Sequence, residues 1–297
     1  MTNPVLSGLL ALLLAAVLAL FSKAFQDKVS GALRRRPGVI WMAPLLLTGV
    51  FGIAAARAGA FRVSLIVLVL AYTAAPVWCA YWQGIGPAKR PTALDFVCIL
   101  LLWLPLEFSS GAALVPRQAQ GTMHSVAYGI AILLGLTLFL CFRSFSGMKY
   151  TLPVRAADFG FPLVGYIAVA PALAALGYFI GFIPAPHASA ASPRTMAAAF
   201  GLIFLGTALP EEILFRGLIQ NLLMQRFGET TRTLVIASVI FGCAHLDNGP
   251  QPLPNWRYAI LASVAGFAYG KVFQKASSVC PSALLHMLVD WTKHYFF

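Results

Sequence analysis

Long apolar runs alternate along this chain with short segments that are rich in proline, glycine or basic residues. A helix needs roughly 20 residues to cross a hydrocarbon core of about 30 Å, and most of the apolar runs come close to this length. We therefore predict an all-α fold, a polytopic transmembrane helix bundle of about eight to ten spans. The predicted spans cover residues 5–22, 39–56, 63–82, 95–111, 126–143, 162–183, 195–227, 230–246, 256–274 and 279–296.

The composition agrees with a membrane protein. Hydrophobic residues make up 60% of the chain and charged residues only 10%, whereas about a quarter of the residues in soluble domains are charged. The basic residues behind the net charge of +12 are scattered over many loops, which favours contact with anionic membrane lipids and argues against a nucleic-acid site. By the positive-inside rule, the more basic loops are cytoplasmic and both termini lie outside. The Ala- and Leu-rich composition, with more arginine than lysine, suggests the inner (plasma) membrane of a bacterium.

The first span and the cysteines add two smaller expectations. The segment "MTNP" before the first span has no basic residue, and a basic stretch follows the span, so we expect a retained anchor rather than a cleaved signal. The cysteines are odd in number, far apart and without CxxC spacing, so we expect packed free thiols and infer nothing from them about redox compartment or metal. They are Cys79, Cys98, Cys141, Cys243 and Cys280.

Ionisable residues within the apolar runs are concentrated in the last third of the chain. The loop Gly181–Thr195 is rich in Pro, Ala and Ser and is the best candidate boundary. Before this loop the main ionisable residue is Glu107, which we expect at the membrane interface or paired with Arg117, outside any site. We therefore predict two regions: residues 1–194, to which no role is assigned, and residues 195–297, which carry the chemistry.

The sequence "EEILFR" places two carboxylates and an arginine in an otherwise apolar run. A charged residue at the centre of a span costs about 2.5 to 3.5 kcal/mol on insertion scales, so its presence needs a reason. On a helix, Glu212 and Arg216 lie four residues apart on one face, in the favourable acid-first order, and can pair. Glu211 is turned about 100° away from Glu212 and points elsewhere.

Two further polar patterns follow in the next helices. The sequence "VIFGCAHLDN" puts Phe241 and His245 on one helix face, and "CPSALLHMLVDW" puts Ser282, His286 and Asp290 in one polar stripe. Taken singly, each pattern has a structural explanation as a packing residue or an interhelical contact. Together they indicate a functional site, because intramembrane ionisable residues usually face the interior of a bundle and mark such sites.

The ordered set EExxxR, FxxxH and HxxxN/D resembles the CAAX protease and bacteriocin-processing family. These glutamic intramembrane proteases include the Rce1-type prenyl-protein endopeptidase. The resemblance covers about residues 195–297 and implies a catalytic helix bundle that works as an intramembrane endopeptidase. The catalytic residues that it implies are Glu211, His245, His286 and Asp290. The supporting residues that it implies are Glu212, Arg216 and Phe241.

The resemblance also implies a role for each residue. Glu211 is the general base that activates a water molecule, and His245 helps to hold that water. Glu212 and Arg216 support the base, and Phe241 packs beside the site. These roles are chemically reasonable, because a carboxylate kept from bulk water is a stronger base and an imidazole can hold a water molecule. Water must reach a peptide bond inside the bundle, so we expect a polar cavity that opens to one interface.

The last position of the third motif departs from the common family pattern. The resemblance implies that His286 and the residue four positions later stabilise the oxyanion of the tetrahedral intermediate. In the family that later residue is often asparagine. This chain has Asp290, and an ionised carboxylate would repel an oxyanion. Asp290 must therefore either be protonated or act indirectly by orienting His286. We favour the second role.

Other enzyme classes fit the sequence less well. Glu, His and Asp are plausible zinc ligands, but no HExxH motif is present, so we expect no metal and no cofactor. Ser282 and Cys243 lie near the motifs, but neither has the Gly-flanked turn that exposes a nucleophile.

Two non-catalytic alternatives stay open. A transporter is mildly disfavoured, because no two broken apolar segments occur at corresponding positions of the two halves. A membrane scaffold or a bacteriocin self-immunity protein would tolerate loss of the carboxylate of Glu211, whereas a protease would not. For a protease, the expected partners are a membrane protein or a lipidated or secreted peptide as substrate, together with membrane lipids.

Overall fold

The computed structural model describes residues 3–107, 114–115, 120–153, 155–249 and 252–297. In these ranges every regular element is a helix and no strand occurs, which confirms the all-α prediction. The chain divides into two compact units, Met1–Ser146 and Gly147–Phe297.

The first unit holds helices of different lengths, which we number in chain order. They are α1 (Pro4–Ala19), α2 (Lys23–Arg35), α3 (Met42–Arg57), α4 (Val63–Trp82), α5 (Ala93–Glu107) and α6 (Gln120–Leu136). A 3-10 turn, Pro37–Trp41, precedes α3, and a wide π-helical turn, Thr137–Phe142, extends α6. Helix α1 begins with an N-cap, since the side chain of Asn3 accepts a hydrogen bond from the backbone N–H of Val5.

The second unit contains all the residues of the three motifs. Its helices are α7 (Ala157–Phe179), α8 (Pro193–Phe227), α9 (Thr231–Cys243), α10 (Trp256–Lys275) and α11 (Cys280–Phe296). Helix α7 packs against both α10 and α11. The boundary that we drew between residues 194 and 195 therefore falls inside this unit, and α7 lies with the motif-bearing helices.

Several helices are long and apolar enough to cross a membrane, as expected for a multi-pass membrane protein. In the described ranges there are five of them, or six if the bent pair α1 and α2 forms one span. The five are Pro37–Arg57, Val63–Trp82, Gly121–Phe142, Ala157–Phe179 and Pro193–Phe227. This is fewer than the apolar runs of the sequence, because α5 and α9 have only 15 and 13 residues. Helix α10 has 20 residues but includes Arg257, Lys271 and Lys275.

Helix α8 is interrupted by two wide π-helical turns around the first motif. The turns cover Phe204–Ala208 and Ile213–Gln220, and the short α-helical piece Leu209–Glu212 lies between them. Pro210 has no N–H to donate, and its ring clashes with the carbonyl four residues earlier in a regular helix. The wide turn just before Pro210 relieves this conflict. Such π turns occur frequently at functional sites, and the two carboxylates lie between a pair of them.

Helices α9 and α10 approach each other closely at glycine positions. A Cβ atom on Gly242 would overlap the side chain of Ser263 and the carbonyl oxygen of Ala259. A Cβ atom on Gly266 would lie 2.9 Å from a ring carbon of Phe241. Small residues at such contacts let membrane helices pack backbone to backbone. The contact therefore fixes the ring of Phe241 against α10.

Lys149 closes the C-terminal end of α10 before α11 begins. Its ammonium group donates hydrogen bonds to the carbonyl oxygens of Phe273, Gln274 and Ala276 at 2.7, 3.0 and 2.9 Å. A cation at this position satisfies carbonyl groups that have no partner within the helix. Burial lowers the pKa of Lys149 from its ordinary value. These bonds hold the turn that sets the direction of α11.

Two sequence expectations concern residues outside the motifs. The five cysteines are free, as predicted, although Cys243 is exposed rather than packed. Glu107 accepts hydrogen bonds from the indole N–H of Trp103 at 2.9 Å and the hydroxyl of Tyr128 at 2.6 Å. Arg117, the other partner considered for Glu107, lies outside the described residues.

Candidate active site

Glu212 is the centre of a buried network that joins α8 to α11. Its side chain has no solvent exposure, and its Oε2 atom lies 3.1 Å from Nε of Arg216. The hydroxyl of Ser282 on α11 donates to the same oxygen, and Nδ1 of His286 lies 3.1 Å from Oε1. Both oxygens of this carboxylate are therefore bound from two helices. A buried charge needs this degree of compensation.

Ser282 adds a second link within the same network. Its hydroxyl lies 2.9 Å from the carbonyl oxygen of Tyr269 as well as against Glu212. A hydroxyl has a single proton to donate, so the two acceptors share it. Ser282 thus connects α8, α10 and α11 at one point.

His286 lies between carboxyl groups on both sides of its ring. Its Nδ1 faces Glu212, and its Nε2 lies 3.4 Å from Oδ2 of Asp290 and 3.8 Å from Oε2 of Glu211. Ionised carboxylates only accept hydrogen bonds, so these contacts need protons on both imidazole nitrogens or on one of the carboxyl groups. The ring also stacks on Tyr269, with centroids 4.7 Å apart. Contacts at both ring nitrogens and on one ring face therefore fix the orientation of the imidazole.

The two adjacent glutamates have different access to solvent. Glu212 is fully buried, whereas the side chain of Glu211 is 27% exposed. Asp290 has a similar exposure of 29%. The fully buried carboxylate of Glu212 is therefore distinct from the two partly exposed acidic side chains, and of Glu211 the Oε2 atom nearest His286 is buried.

Arg216 is fully buried and lies against aromatic rings. Its guanidinium carbon is 4.6 Å from the ring centre of Phe241 and 5.7 Å from that of Tyr269. Among the described residues, none of its three guanidinium nitrogens makes a hydrogen bond, and Nε contacts Glu212 only as an ion pair. Cation–π contact with two rings and the ion pair with Glu212 therefore stabilise this charge.

Phe241 connects the second motif to the other two. Its ring makes edge contacts with His245 and His286, at centroid distances of 4.8 and 5.7 Å. Nδ1 of His245 lies 2.8 Å from the carbonyl oxygen of Phe241, and a carbonyl can only accept, so Nδ1 carries the proton. In the neutral ring this leaves Nε2 of His245 as an acceptor. His245 also contacts the ring of Tyr258, with centroids 4.5 Å apart.

A cavity of about 80 Å³ lies beside the histidines. His245, His286, Asp290 and Tyr258 are among the residues that line it, so several polar groups face one space. A buried water needs roughly 10 to 15 Å³ of such volume, so the cavity has room for several. Glu211 is not among its lining residues. The cavity therefore lies on the histidine side of the network, and its lining is mostly apolar with a few polar groups.

The structure brings the sequence-predicted residues together in one unit. They form two groups, a set of charged residues in contact and two residues that pack beside it, and the sequence spacing did not show this. Glu211, Glu212, Arg216, His286 and Asp290 form a connected set of charged contacts. Phe241 packs against that set, and His245 joins it through Phe241 and through the shared cavity.

Sequence reasoning missed three contributors to the site and left a fourth, Ser282, without a role. Ser282 lies in the predicted polar stripe, but its binding to Glu212 needs the packing of α11 on α8. Tyr258 and Tyr269 belong to α10, which carries no motif. Lys293 lies in the last turns of α11 and lines the cavity. A signal existed only for Ser282 and Lys293, which lie four residues before His286 and three after Asp290 on one helix.

The described part of the chain contains no group of three or more His, Cys, Asp or Glu residues that could hold a metal ion. The acids and imidazoles of the site instead contact one another. Persistence of activity in a chelator is the direct test of the metalloprotease alternative.

A comparison with protein families gives one match. Residues 193–292 match the family described as Type II CAAX prenyl endopeptidase Rce1-like. The match spans about a third of the chain, includes every predicted site residue and confirms the resemblance read from the three motifs. It supports a protease activity in general. Neither a curated protein nor a solved structure matches the chain.

Proposed function

We propose that the protein is an intramembrane endopeptidase of the glutamic type, which cleaves a membrane-associated peptide or protein. The observation that supports this most is the unequal environment of the two adjacent glutamates. Glu212 is buried and has both oxygens occupied, so it is suited to support and unsuited to meet water. Glu211 is partly exposed and its carboxylate lies 3.8 Å from His286.

In this proposal Glu211 takes a proton from a water molecule while the water oxygen attacks the scissile carbonyl carbon. The resulting oxyanion is stabilised by the Nε2–H of His286, which it shares with Asp290, while Nδ1 stays bound to Glu212. Asp290 orients His286 from the same helix, which suits an aspartate better than direct contact with a negative oxygen. The carbon–nitrogen bond then breaks, and the proton held by Glu211 passes to the leaving amine.

His245 completes the arrangement from α9. Its Nδ1 proton is engaged by the carbonyl of Phe241, so the neutral ring offers Nε2 as an acceptor for a water proton. A water held there shares the cavity with His286 and Asp290. Because Glu211 does not line this cavity, substrate entry has to bring the water within reach of both Glu211 and the scissile carbonyl carbon.

The proposed substrate is a membrane protein or a lipidated or secreted peptide, and the proposed location is the inner membrane of a bacterium. The apolar composition and the spanning helices support a substrate that reaches the site from the bilayer. The basic loops support contact with anionic lipids.

The first test is a comparison of peptide termini in cells that express the wild-type chain or Glu211→Gln at equal levels. This isosteric change removes the base, and loss of a general base lowers a rate by roughly 100- to 10,000-fold. We expect one or a few cleaved termini to disappear from membrane and secreted fractions, as measured by mass spectrometry. Glu107→Gln, which alters a carboxylate of the first unit, is the matched control and should leave those termini unchanged.

A membrane scaffold or self-immunity role is the second candidate. The network of Glu212, Arg216, Ser282 and His286 supports it, because such a network also ties helices together without any reaction. Identical termini in wild type and Glu211→Gln, together with a phenotype on deletion of the whole gene, would favour this second candidate.

A further inference from the structure

We propose that Lys293 is a specificity-determining residue that binds a carboxylate of the substrate beside the candidate active site. The inference rests on the proposed protease function and deepens it, since it assigns a chemical group that the substrate must present. It draws on the position of Lys293, the state of its charge and the shape of the space around it.

Lys293 lies where two cavities meet. It lines the cavity of about 80 Å³ that contains the two histidines. It also lines a larger cavity of about 450 Å³, whose wall includes Leu202, Ile203 and Thr207 of α8. A space of this size lies within the range of about 300 to 1,000 Å³ that is usual for ligand sites. A peptide in the larger cavity would therefore pass Lys293 on the way to His286.

The ammonium group of Lys293 is held by rings and not by an anion. Its Nζ atom lies 4.4 Å from the ring centre of Tyr258 and 4.8 Å from that of Phe182. Within the described ranges no carboxylate lies close enough to pair with it. Cation–π contacts stabilise a charge without neutralising it. Lys293 is thus a cation in a cavity wall with its charge still available.

The neighbouring carboxylate of Asp290 attracts the ammonium group of Lys293 electrostatically but forms no ion pair with it. Asp290 lies one turn earlier on α11, and its Oδ2 atom contacts Nε2 of His286 at 3.4 Å. Asp290 and Lys293 both line the two cavities, so an incoming group meets a carboxylate in contact with His286 and an ammonium group that forms no ion pair. An anionic group would bind on the side of Lys293 and away from Asp290.

Among the groups of a peptide, only a carboxylate carries the charge that this position lacks. It comes from two sources, the free C-terminus or the side chain of an Asp or Glu residue. Both offer the same two oxygens to Nζ, and the apolar wall of the larger cavity accommodates the residues around them. Charge-assisted hydrogen bonds of this kind are stronger than neutral ones.

The test is a binding measurement on the full chain in detergent, with Glu211→Gln present so that bound peptide is not consumed. The probe is a fluorescent library of eight-residue peptides of Ala, Leu, Val, Ser and Gly. It is made with a free C-terminus, with a C-terminal amide, or with the amide and one internal Glu. We expect one of the charged forms to bind about tenfold more tightly than the neutral amide, as measured by fluorescence anisotropy.

Variants at Lys293 decide whether this residue causes the preference. Lys293→Met and Lys293→Gln should reduce the preference to within about twofold, and Lys293→Arg should keep it. Lys271→Met is the matched control, because Lys271 also lies over an aromatic ring, at 5.7 Å from Phe267, but lines neither cavity. A preference for the free C-terminus identifies the terminal carboxylate as the ligand, and a preference for the internal Glu identifies a side chain.

The inference is overturned if the parent chain shows no preference for charge, or if both neutral variants keep it unchanged. Failure of the proposed function has a different signature. In that case the chain with Glu211 intact binds the charged peptides through Lys293 but leaves them uncleaved.

Discussion

The two units each bury an arginine–carboxylate pair, and the pairs differ in how completely they are satisfied. In the first unit, Nε of Arg143 lies 3.1 Å from Oδ1 of Asp95 and Nη2 lies 3.3 Å from Oδ2. The same guanidinium donates to the carbonyl oxygens of Gln83 and Gly84. Every nitrogen of Arg143 has an acceptor, and the pair is closed to further chemistry.

The pair of the second unit is connected to other ionisable groups. Arg216 contacts Glu212 through Nε, while its other nitrogens lie among aromatic rings. Glu212 in turn binds His286, whose other nitrogen faces Glu211 and Asp290. A cavity with room for water lies next to this chain of groups. A buried ion pair therefore indicates function when its members also contact other ionisable groups beside a cavity. Burial of the pair alone does not indicate function.

The largest expected effect is a loss of cleavage that distinguishes replacement of Arg216 from replacement of Arg143. Arg143→Met and Arg216→Met each leave a buried carboxylate without its main partner, which typically destabilises a protein by about 3 to 5 kcal/mol. We expect both variants to lose folded protein on heating in detergent, as measured by fluorescence-detected size exclusion. Only Arg216→Met should also lose cleavage per folded molecule, because Glu212 and His286 then lose their fixed positions.

The control for this pair of variants is the folded fraction at low temperature. Cleavage is divided by that fraction for each variant before the two are compared. Loss of cleavage by folded Arg143→Met to the same extent as by Arg216→Met would show that the distinction between a closed pair and a connected one is wrong.

An intermediate effect is expected at Asp290, the partner of His286 within α11. Asp290→Asn keeps the size of the side chain but removes the carboxylate that contacts Nε2. Groups that orient histidine ligands at metal sites are worth roughly 10- to 100-fold, and we expect a loss of that order in kcat here, with little change in KM. Initial rates over a range of concentrations of one cleaved peptide measure both constants. An unchanged or increased kcat would instead favour direct contact between the side chain at position 290 and the oxyanion.

The sequence predicted those parts of the site that depend on local geometry. The pairing of Glu212 with Arg216 follows from a spacing of four residues on a helix, and so does the stripe of Ser282, His286 and Asp290. The sequence pattern could not predict contacts between helices, because the binding of His286 to Glu212 depends on how α11 packs on α8. The same holds for the cavity, which His286 lines and Glu211 does not.

The fold was predicted to a similar depth. Apolar runs and composition gave the helices and the membrane class, because both depend on local hydropathy. Within the described residues five or six helices are long and apolar enough to span, which is fewer than the apolar runs, because length and internal charge shorten the apolar stretch of α5, α9 and α10. The wide turns on both sides of Leu209–Glu212 have one visible cause in the sequence, Pro210, and it accounts only for the first turn.

The smallest effect is expected at Ser282, and it tests how far the connected network depends on each member. Ser282→Ala removes one donor from Glu212, which keeps Arg216 and His286 as partners. A single hydrogen bond contributes about 1 kcal/mol, so we expect a loss of roughly fivefold in cleavage with a small decrease in thermal stability. Ser282→Thr keeps the hydroxyl and should restore most of the activity if the added methyl group fits. A complete loss of cleavage in Ser282→Ala, with the chain still folded, would contradict a supporting role and would make Ser282 a candidate nucleophile. Cleavage rates of Ser282→Ala and Ser282→Thr, measured side by side, therefore decide whether the network tolerates the loss of one hydrogen bond to Glu212. A carboxylate held by several donors should tolerate it.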